Sequence, residues 1–376
     1  MTTSDKKNLL VMKLLHYFIT EKNYNPVIIH GIDNEIWLEN MDSEFRIVRI
    51  VMGYIHNKEQ LDFDNYKVEK LTKQIKRKTF TFKMKTLSLY LDLNSGISLE
   101  NTKFNYAVNA KNETILKKNK LFDIYFTDIG SKLKFTEEGE LLYHRINNDI
   151  LKKNVTESKK INELFTPKKS YTTYFLIGII VIFYIILVFN GGSTNKNTLY
   201  KYGALVKDNN PLRLLFSMFL HIGIIHFLAN VWSLYAVGKI VEDFYGHVKT
   251  FIIFIFSGLI GNLLSYIVMD NLTISAGASG AIYGLMGALL YFSLNQRTYM
   301  VEALKNQILP ILILNLLISA SLPSVNLCAH IGGLVAGIIM SITLGVKYKT
   351  SKSEKINGLI ASTILTGALI YFSYFK

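Results

Sequence analysis

A polytopic α-helical membrane bundle behind an N-terminal mixed α/β soluble domain is what this sequence predicts. Long, almost charge-free apolar runs fill the chain from Tyr171 onward, whereas the first 170 residues are polar and charge-rich. The runs exclude a fully soluble enzyme and a disordered chain. Lys and Arg number 42 against 28 Asp and Glu, a formal net charge of +14 over 376 residues. One cysteine, Cys328, excludes an internal disulfide and a cysteine-cluster metal site. No cleavable signal peptide is expected, because Lys13 and His16 break the early apolar residues Leu9 to Ile19.

Taken in order, residues 1–151 form the soluble domain. A helical period fits Lys6–Glu21, Lys58–Lys78 and Glu138–Leu151, and strands are expected at Val27–Ile29, Glu35–Leu38, Phe45–Val51, Thr86–Leu93 and Leu121–Phe126. The polar stretch 152–170, with Pro167 in it, reads as a linker. Seven runs then approach the roughly 20 apolar residues that cross a bilayer. They lie near Tyr171–Phe189, Leu212–Val237, Thr250–Met269, Ser279–Leu294, Ala303–Ser321, Leu327–Leu344 and Ile356–Phe375. The fourth and sixth are short and rich in Gly and Ala, which lets helix backbones approach and places them at the bundle centre. The first six spans make a core over 171–347, and 348–376 supply a basic inner loop and a seventh helix.

Lys and Arg set the orientation. A cytoplasmic N-terminal domain puts Lys159, Lys160, Lys168 and Lys169 on the inside of the first span, with Lys239, Lys249, Arg297, Lys305, Lys347, Lys349, Lys352 and Lys355 in inner loops. Fewer cations, Lys196, Lys201, Lys207, Arg213 and the terminal Lys376, then lie outside. The N-terminus is expected in the cytoplasm and the C-terminus outside.

The segment Ser275–Gly287 reads S-A-G-A-S-G-A-I-Y-G-L-M-G. Ser279 falls at the outer start of the fourth span, beside helix-terminal N–H groups that can stabilise an oxyanion. Gly277 allows close backbone approach, and Gly280 and Gly284 share a face. Simple helix packing competes as a reading, because small residues four apart are common in membrane helices. In the sixth span, L-C-A-H-I-G-G-L-V-A-G puts His330, Gly333 and Gly337 along one face. The fourth and sixth spans run the same way, so Ser279 and His330 share a depth near the outer surface. A serine needs a base to become a nucleophile, and neutral imidazole supplies one. The proposed spans hold no Asp or Glu, so a two-residue dyad is expected rather than a triad. In the second span His226 and Asn230 lie four apart, where both can donate hydrogen bonds to a developing oxyanion. A metal held by His221 and His226 competes, but a spacing of five separates the two rings on a helix.

These motifs together resemble those of the rhomboid intramembrane serine proteases, over roughly Tyr171–Leu344. They are Gly277-Ala278-Ser279-Gly280 with Tyr283, Ala329-His330 with Gly333 and Gly337, and the series His221, His226, Asn230. The resemblance implies a six-helix core with an appended seventh helix. It makes Ser279 the nucleophile and His330 the general base, and joins His226 and Asn230 to the N–H of Ser279 as the oxyanion hole. Tyr283 matches an aromatic packed on the catalytic histidine, and His221 matches a structural histidine. Arg213 matches half of a Trp-Arg pair in the first outer loop, whose Trp is replaced here by Leu212. The implied substrates are single-span membrane proteins within the lipid bilayer, cut at small residues near helix-weakening ones, with no metal or organic cofactor. The competing function is a non-proteolytic membrane protein, a transporter or client-binding factor, using the same polar centre.

Elsewhere, Lys73, Lys76, Arg77, Lys78, Lys83 and Lys85, interleaved with Phe80 and Phe82, form the densest basic stretch of the soluble domain. A solvated face or attraction to the anionic inner leaflet is favoured over nucleic acid, and no nucleic-acid partner is expected. Protein partners of this domain are an expectation. His16, His30, His56 and His144 lack ligand spacing, Cys328 reads as a small buried thiol, and Pro310 as a kink in the fifth span.

Overall fold

The computed structural model describes residues 3–29, 31–79, 81, 83–208, 210–321 and 326–374. His30, Phe80, Phe82 and Lys376 lie outside the described residues. The chain divides into two compact units, Met1–Lys159 and Lys160–Lys376.

The first unit opens with α1 (Thr3–His16), which continues as a π-helical turn over Tyr17–Glu21. Five strands follow, β1 (Asn25–Val27), β2 (Glu35–Glu39), β3 (Ile47–Val51), β4 (Thr86–Tyr90) and β5 (Asn105–Asn109), with α2 (Lys58–Lys78) between β3 and β4. They form one sheet in the order β1-β2-β3-β4-β5. The first two pairings are antiparallel, and β3–β4 and β4–β5 are parallel. Parallel neighbours need a crossover; α2 supplies it between β3 and β4, and the non-helical stretch 91–104 supplies it between β4 and β5. Every residue of β3 and β4 is buried, as expected of strands covered on both faces. Val48 and Ile50 pack with Leu14, Tyr17 and Phe18 on one face. Ile47 packs with Val68 of α2 on the other. Asn57 caps α2 by accepting from the Gln60 N–H. Three short helices, α3 (Glu113–Lys117), α4 (Lys120–Tyr125) and α5 (Ile129–Lys132), precede α6 (Gly139–Phe165).

One expectation is corrected here. Leu121–Phe126 is not a strand but lies in and just after α4, whose N-cap Asn119 accepts from the Leu121 N–H. The stretch 152–170 is helical as far as Phe165, so the chain leaves the domain as a continuation of α6 and only its last residues are irregular. In the basic stretch, Lys76, Arg77 and Lys78 occupy the last turn of α2, where the helix dipole favours cations. Lys73 and Lys85 pair with Glu69 and Glu44.

Period-two alternation also turns Arg49 toward α2, where it is fully buried. Its guanidinium donates to Glu35 at 2.6 and 2.7 Å and to Asp64 at 2.6 and 2.5 Å. Burial alone would push both carboxyls up, but hydrogen bonds and charge from Arg49, aided by Lys67, hold both below the usual carboxylate range. The folded domain therefore binds fewer protons than the unfolded chain just below that range. The stabilisation is complete above it and lost as pH falls through it. Arg49→Leu should cost about 3–5 kcal/mol by stranding two buried carboxylates. It should also reverse the sign, since burial then raises both groups and acid relieves the repulsion. Hydrogen exchange at Val48 and Ile50 across pH 3.5 to 7 reads both effects; a variant that keeps the wild-type pH slope refutes the assignment.

The second unit is helical: α7 (Tyr171–Phe189), α8 (Lys196–Lys201), α9 (Arg213–Phe216), α10 (Ile224–Tyr245), α11 (His247–Val268), α12 (Ser279–Asn295), α13 (Arg297–Ala303), α14 (Leu309–Ser321), α15 (Leu327–Leu344) and α16 (Lys352–Tyr374). Among the described residues six helical stretches are long and apolar enough to cross a membrane. The expected span not among these six is the fourth, α12, which has 17 residues and is the most enclosed, with Gly280–Leu289 all buried. A π-helical turn, Leu304–Ile308, joins α13 to α14. It ends two residues before Pro310, which lacks an N–H and whose ring crowds the carbonyl of Asn306 four residues back; the wider turn relieves that clash.

The second span is corrected at both ends. It begins at Ile224, after a loop closed by Gly223 at φ +75°, and runs to Tyr245, stopped by Gly246 at φ +79°. His221 is therefore in the loop and not on the helix. The extension brings Glu242 into a span thought free of acids. Its buried carboxylate accepts from the N–H groups of Thr172 at 2.7 Å and Thr173 at 2.8 Å and from the Thr173 hydroxyl at 2.7 Å, capping α7. His247 completes its shell. This end of the bundle is opposite the one that holds Ser279 and His330.

Candidate active site

Ser279 is the first residue of α12 and His330 lies in the first turns of α15. The two helices run side by side on glycines: a Cβ built on Gly333 or Gly337 would stand 2.0 Å from the carbonyl oxygen of Gly280 or Gly284. Only hydrogen on these α-carbons permits that approach. Near the N-terminal ends of both helices the structure brings His330 Nε2 to 2.7 Å from Ser279 Oγ. His330 is buried and Ser279 half-buried. Tyr283, one turn after Ser279, stacks on the His330 ring at 4.2 Å and 18°. With Nε2 facing a hydroxyl, a neutral His330 accepts the serine proton there and carries its own hydrogen on Nδ1.

The loop before Ser279 is held by the segment between α7 and α10. Leu205 and Ser275 exchange two main-chain hydrogen bonds at 2.8 and 2.9 Å. The Gly277 N–H donates to the Ser217 carbonyl at 2.9 Å, and the Ala278 N–H donates to His221 Nε2 at 3.3 Å. His221 thus supports the backbone at the residue immediately before Ser279. Arg213 is buried one layer away: it bonds Asp208 at 2.7 Å and the carbonyls of Tyr200 and Ala204 at 2.8 and 3.0 Å, and lies 4.1 Å over the Tyr200 ring. It braces the loop between α8 and α10.

His226 faces the same pocket from α10. A Cβ on Gly277 would stand 2.8 Å from His226 Cε1, 3.0 Å from its Nε2 and 3.9 Å from Ser279 Oγ, so the imidazole and the serine border one small space. Gly277 adopts φ +147°, which a side chain would strain. Asn230 is buried one turn below; its Nδ2 donates to the His226 carbonyl at 2.9 Å, leaving its second hydrogen for another acceptor. The His221 and His226 rings are 5.3 Å apart. Among the described residues no group of three or more His, Cys, Asp or Glu could hold a metal ion.

The comparisons agree with one another. Residues 208–347 match the Rhomboid domain family. The chain is 26% identical over 366 residues to "Rhomboid protease GluP" of Bacillus subtilis (strain 168), covering 93% of this chain and 71% of that protein. It is 38% identical over 167 residues to "RHOMBOID-like protein 6, mitochondrial" of Arabidopsis thaliana, 43% of this chain and 54% of that protein. It is 29% identical over 146 residues to "Putative rhomboid protease YdcA" of Bacillus subtilis (strain 168), 39% of this chain and 73% of that protein. The chain thus spans about half the length of that plant relative.

Proposed function

We propose that this chain, a multi-pass membrane protein of the rhomboid family of intramembrane proteases, cuts transmembrane segments with a Ser279–His330 dyad. The observation that carries the reading is the 2.7 Å contact between His330 Nε2 and Ser279 Oγ. Ser279 Oγ attacks the scissile carbonyl carbon as His330 takes the hydroxyl proton. The resulting oxyanion meets the N–H of Ser279 at the start of α12, with His226 and the remaining Asn230 amide hydrogen as side-chain donors. Collapse expels the amine, which takes its proton from His330, and water then hydrolyses the acyl-enzyme by the reverse path. The half-exposed Ser279 and the polar residues around it supply a wet pocket, which the lipid alone does not.

A substrate helix has its carbonyls hydrogen-bonded internally and must unwind before it is cut. Single-span proteins with small residues at the cut and weak helix nearby are the substrates this predicts. The bias of Lys and Arg supports a cytoplasmic N-terminus, a pocket opening to the outer face and an outer C-terminus. The N-terminal domain is then a cytoplasmic module suited to protein partners.

A fluorophosphonate probe tests the reading. Detergent-solubilised wild type should be labelled and should cleave a reporter transmembrane segment, and Ser279→Ala should do neither. Labelling that survives the change would point to another nucleophile, and a wild type that binds the segment without cutting it would favour a client-binding protein.

A further inference from the structure

We propose that Asn326 is a positioning residue that sets the separation of Ser279 and His330, an inference that rests on the dyad reading above. Asn326 is the N-cap of α15, four residues before His330. Its Oδ1 accepts from the Ala329 N–H at 3.1 Å and its main-chain oxygen from the His330 N–H at 3.3 Å, so it holds the turn that carries the imidazole. Capping needs only an oxygen acceptor, and Ser or Asp supplies one as well as Asn. The two hydrogens on Asn326 Nδ2 are surplus to capping, and here both leave the helix. One goes to Ser275 Oγ at 2.9 Å and the other to Ser265 Oγ.

Those two serines belong to different elements. Ser265 is buried in the last turn of α11. Ser275 lies four residues before Ser279 and is clamped to Leu205 by main-chain bonds on both sides. One amide group therefore ties the His330 helix, the third span and the Ser279 loop together at the outer rim. Deeper in the bundle the glycine contacts of α12 and α15 fix the lateral distance between the helices. Nearer the rim Gly261 and Gly280 face the Ala329 carbonyl oxygen, and Asn326, three residues before Ala329, adds the side-chain joint that holds the start of that turn. A proton passes from Ser279 to His330 only at hydrogen-bond distance, so a small drift of the first turn of α15 separates the pair.

Asn326→Ser separates this role from stability, because serine keeps the cap and loses both cross-links. In the full-length protein in detergent, its thermal stability should stay close to that of the wild type. The fluorophosphonate labelling rate and kcat for a reporter segment should fall together by about ten- to a hundredfold, with KM unchanged, as a misplacement near 1 Å predicts. Ser275→Ala, which removes one cross-link and no cap, should show a smaller loss of the same kind. A merely structural residue would instead lose labelling in proportion to lost folded protein. Wild type and Asn326→Ser labelled at one rate would remove this inference alone. A wild type the probe does not label would remove the protease reading and this inference with it.

Discussion

Ser279→Ala and His330→Ala should each lower kcat for a transmembrane substrate by about 10⁴-fold or more, and the double variant should be no worse than either single one. On the proposed mechanism the two side chains act as one device. The hydroxyl is a poor nucleophile without a base 2.7 Å away, and the imidazole has no proton to move without the hydroxyl. Removing the second partner after the first takes away nothing that still functions. KM should change little, because neither group is required to hold the substrate helix. Residual turnover would come from the oxyanion donors His226, Asn230 and the Ser279 N–H. Single-turnover cleavage of a reporter segment in proteoliposomes measures all three variants. Losses that multiply in the double variant would mean that the residues work independently, and the dyad would then be the wrong description.

How much of this was legible beforehand depends on where the physical signal resides. The range of α2 was readable because Asn57 caps it and the last turn is basic, both local signals. The sixth span was readable because apolar length and glycine spacing coincide over Leu327–Leu344. By contrast, L-F-D-I-Y-F is rich in the aromatic and β-branched residues that favour strands, and only the cap at Asn119 and the burial of Phe122 in the core make it helical. β5, N-Y-A-V-N, was missed because its end residues are polar; it is held by parallel pairing with β4, a contact between distant residues. Gly223 and Gly246 do mark the ends of α10, but an unbroken apolar run across Leu212–Val237 hid the loop that contains His221.

The candidate site follows the same rule. Ser279, His330, His226, Asn230 and Tyr283 announce themselves because polar or aromatic groups in apolar helices are conspicuous. Asn326 carried a readable signal, an Asn immediately before an apolar helix, yet that signal speaks only of capping. Its bonds to Ser265 and Ser275 depend on three chain segments meeting. Glu242 lies beyond the expected end of the second span at Val237, and only folding reveals that it caps the first-span helix from a different element.

Gly337→Ala is expected to be the most damaging single-methyl change in the bundle. The added Cβ would lie 2.0 Å from the Gly284 oxygen, 2.5 Å from its carbonyl carbon and 2.6 Å from its α-carbon. All three are backbone atoms inside α12, so no side chain can rotate away and the two helices must part. Alanine favours a helix over glycine by about 1 kcal/mol. Overpacking against backbone works against that gain and should exceed it, for a net cost of about 2–3 kcal/mol or more. Parting α12 from α15 also widens the Ser279–His330 distance, so the protein that remains folded should label more slowly with a fluorophosphonate. Gly367 in α16 is the internal control, since a Cβ there meets nothing within 4 Å. Gly367→Ala should be neutral or slightly stabilising. Thermal inactivation of both variants in one detergent decides the matter. Equal midpoints would mean that α12 and α15 are not held at backbone contact, and the 2.7 Å reach from His330 to Ser279 would lose its mechanical basis.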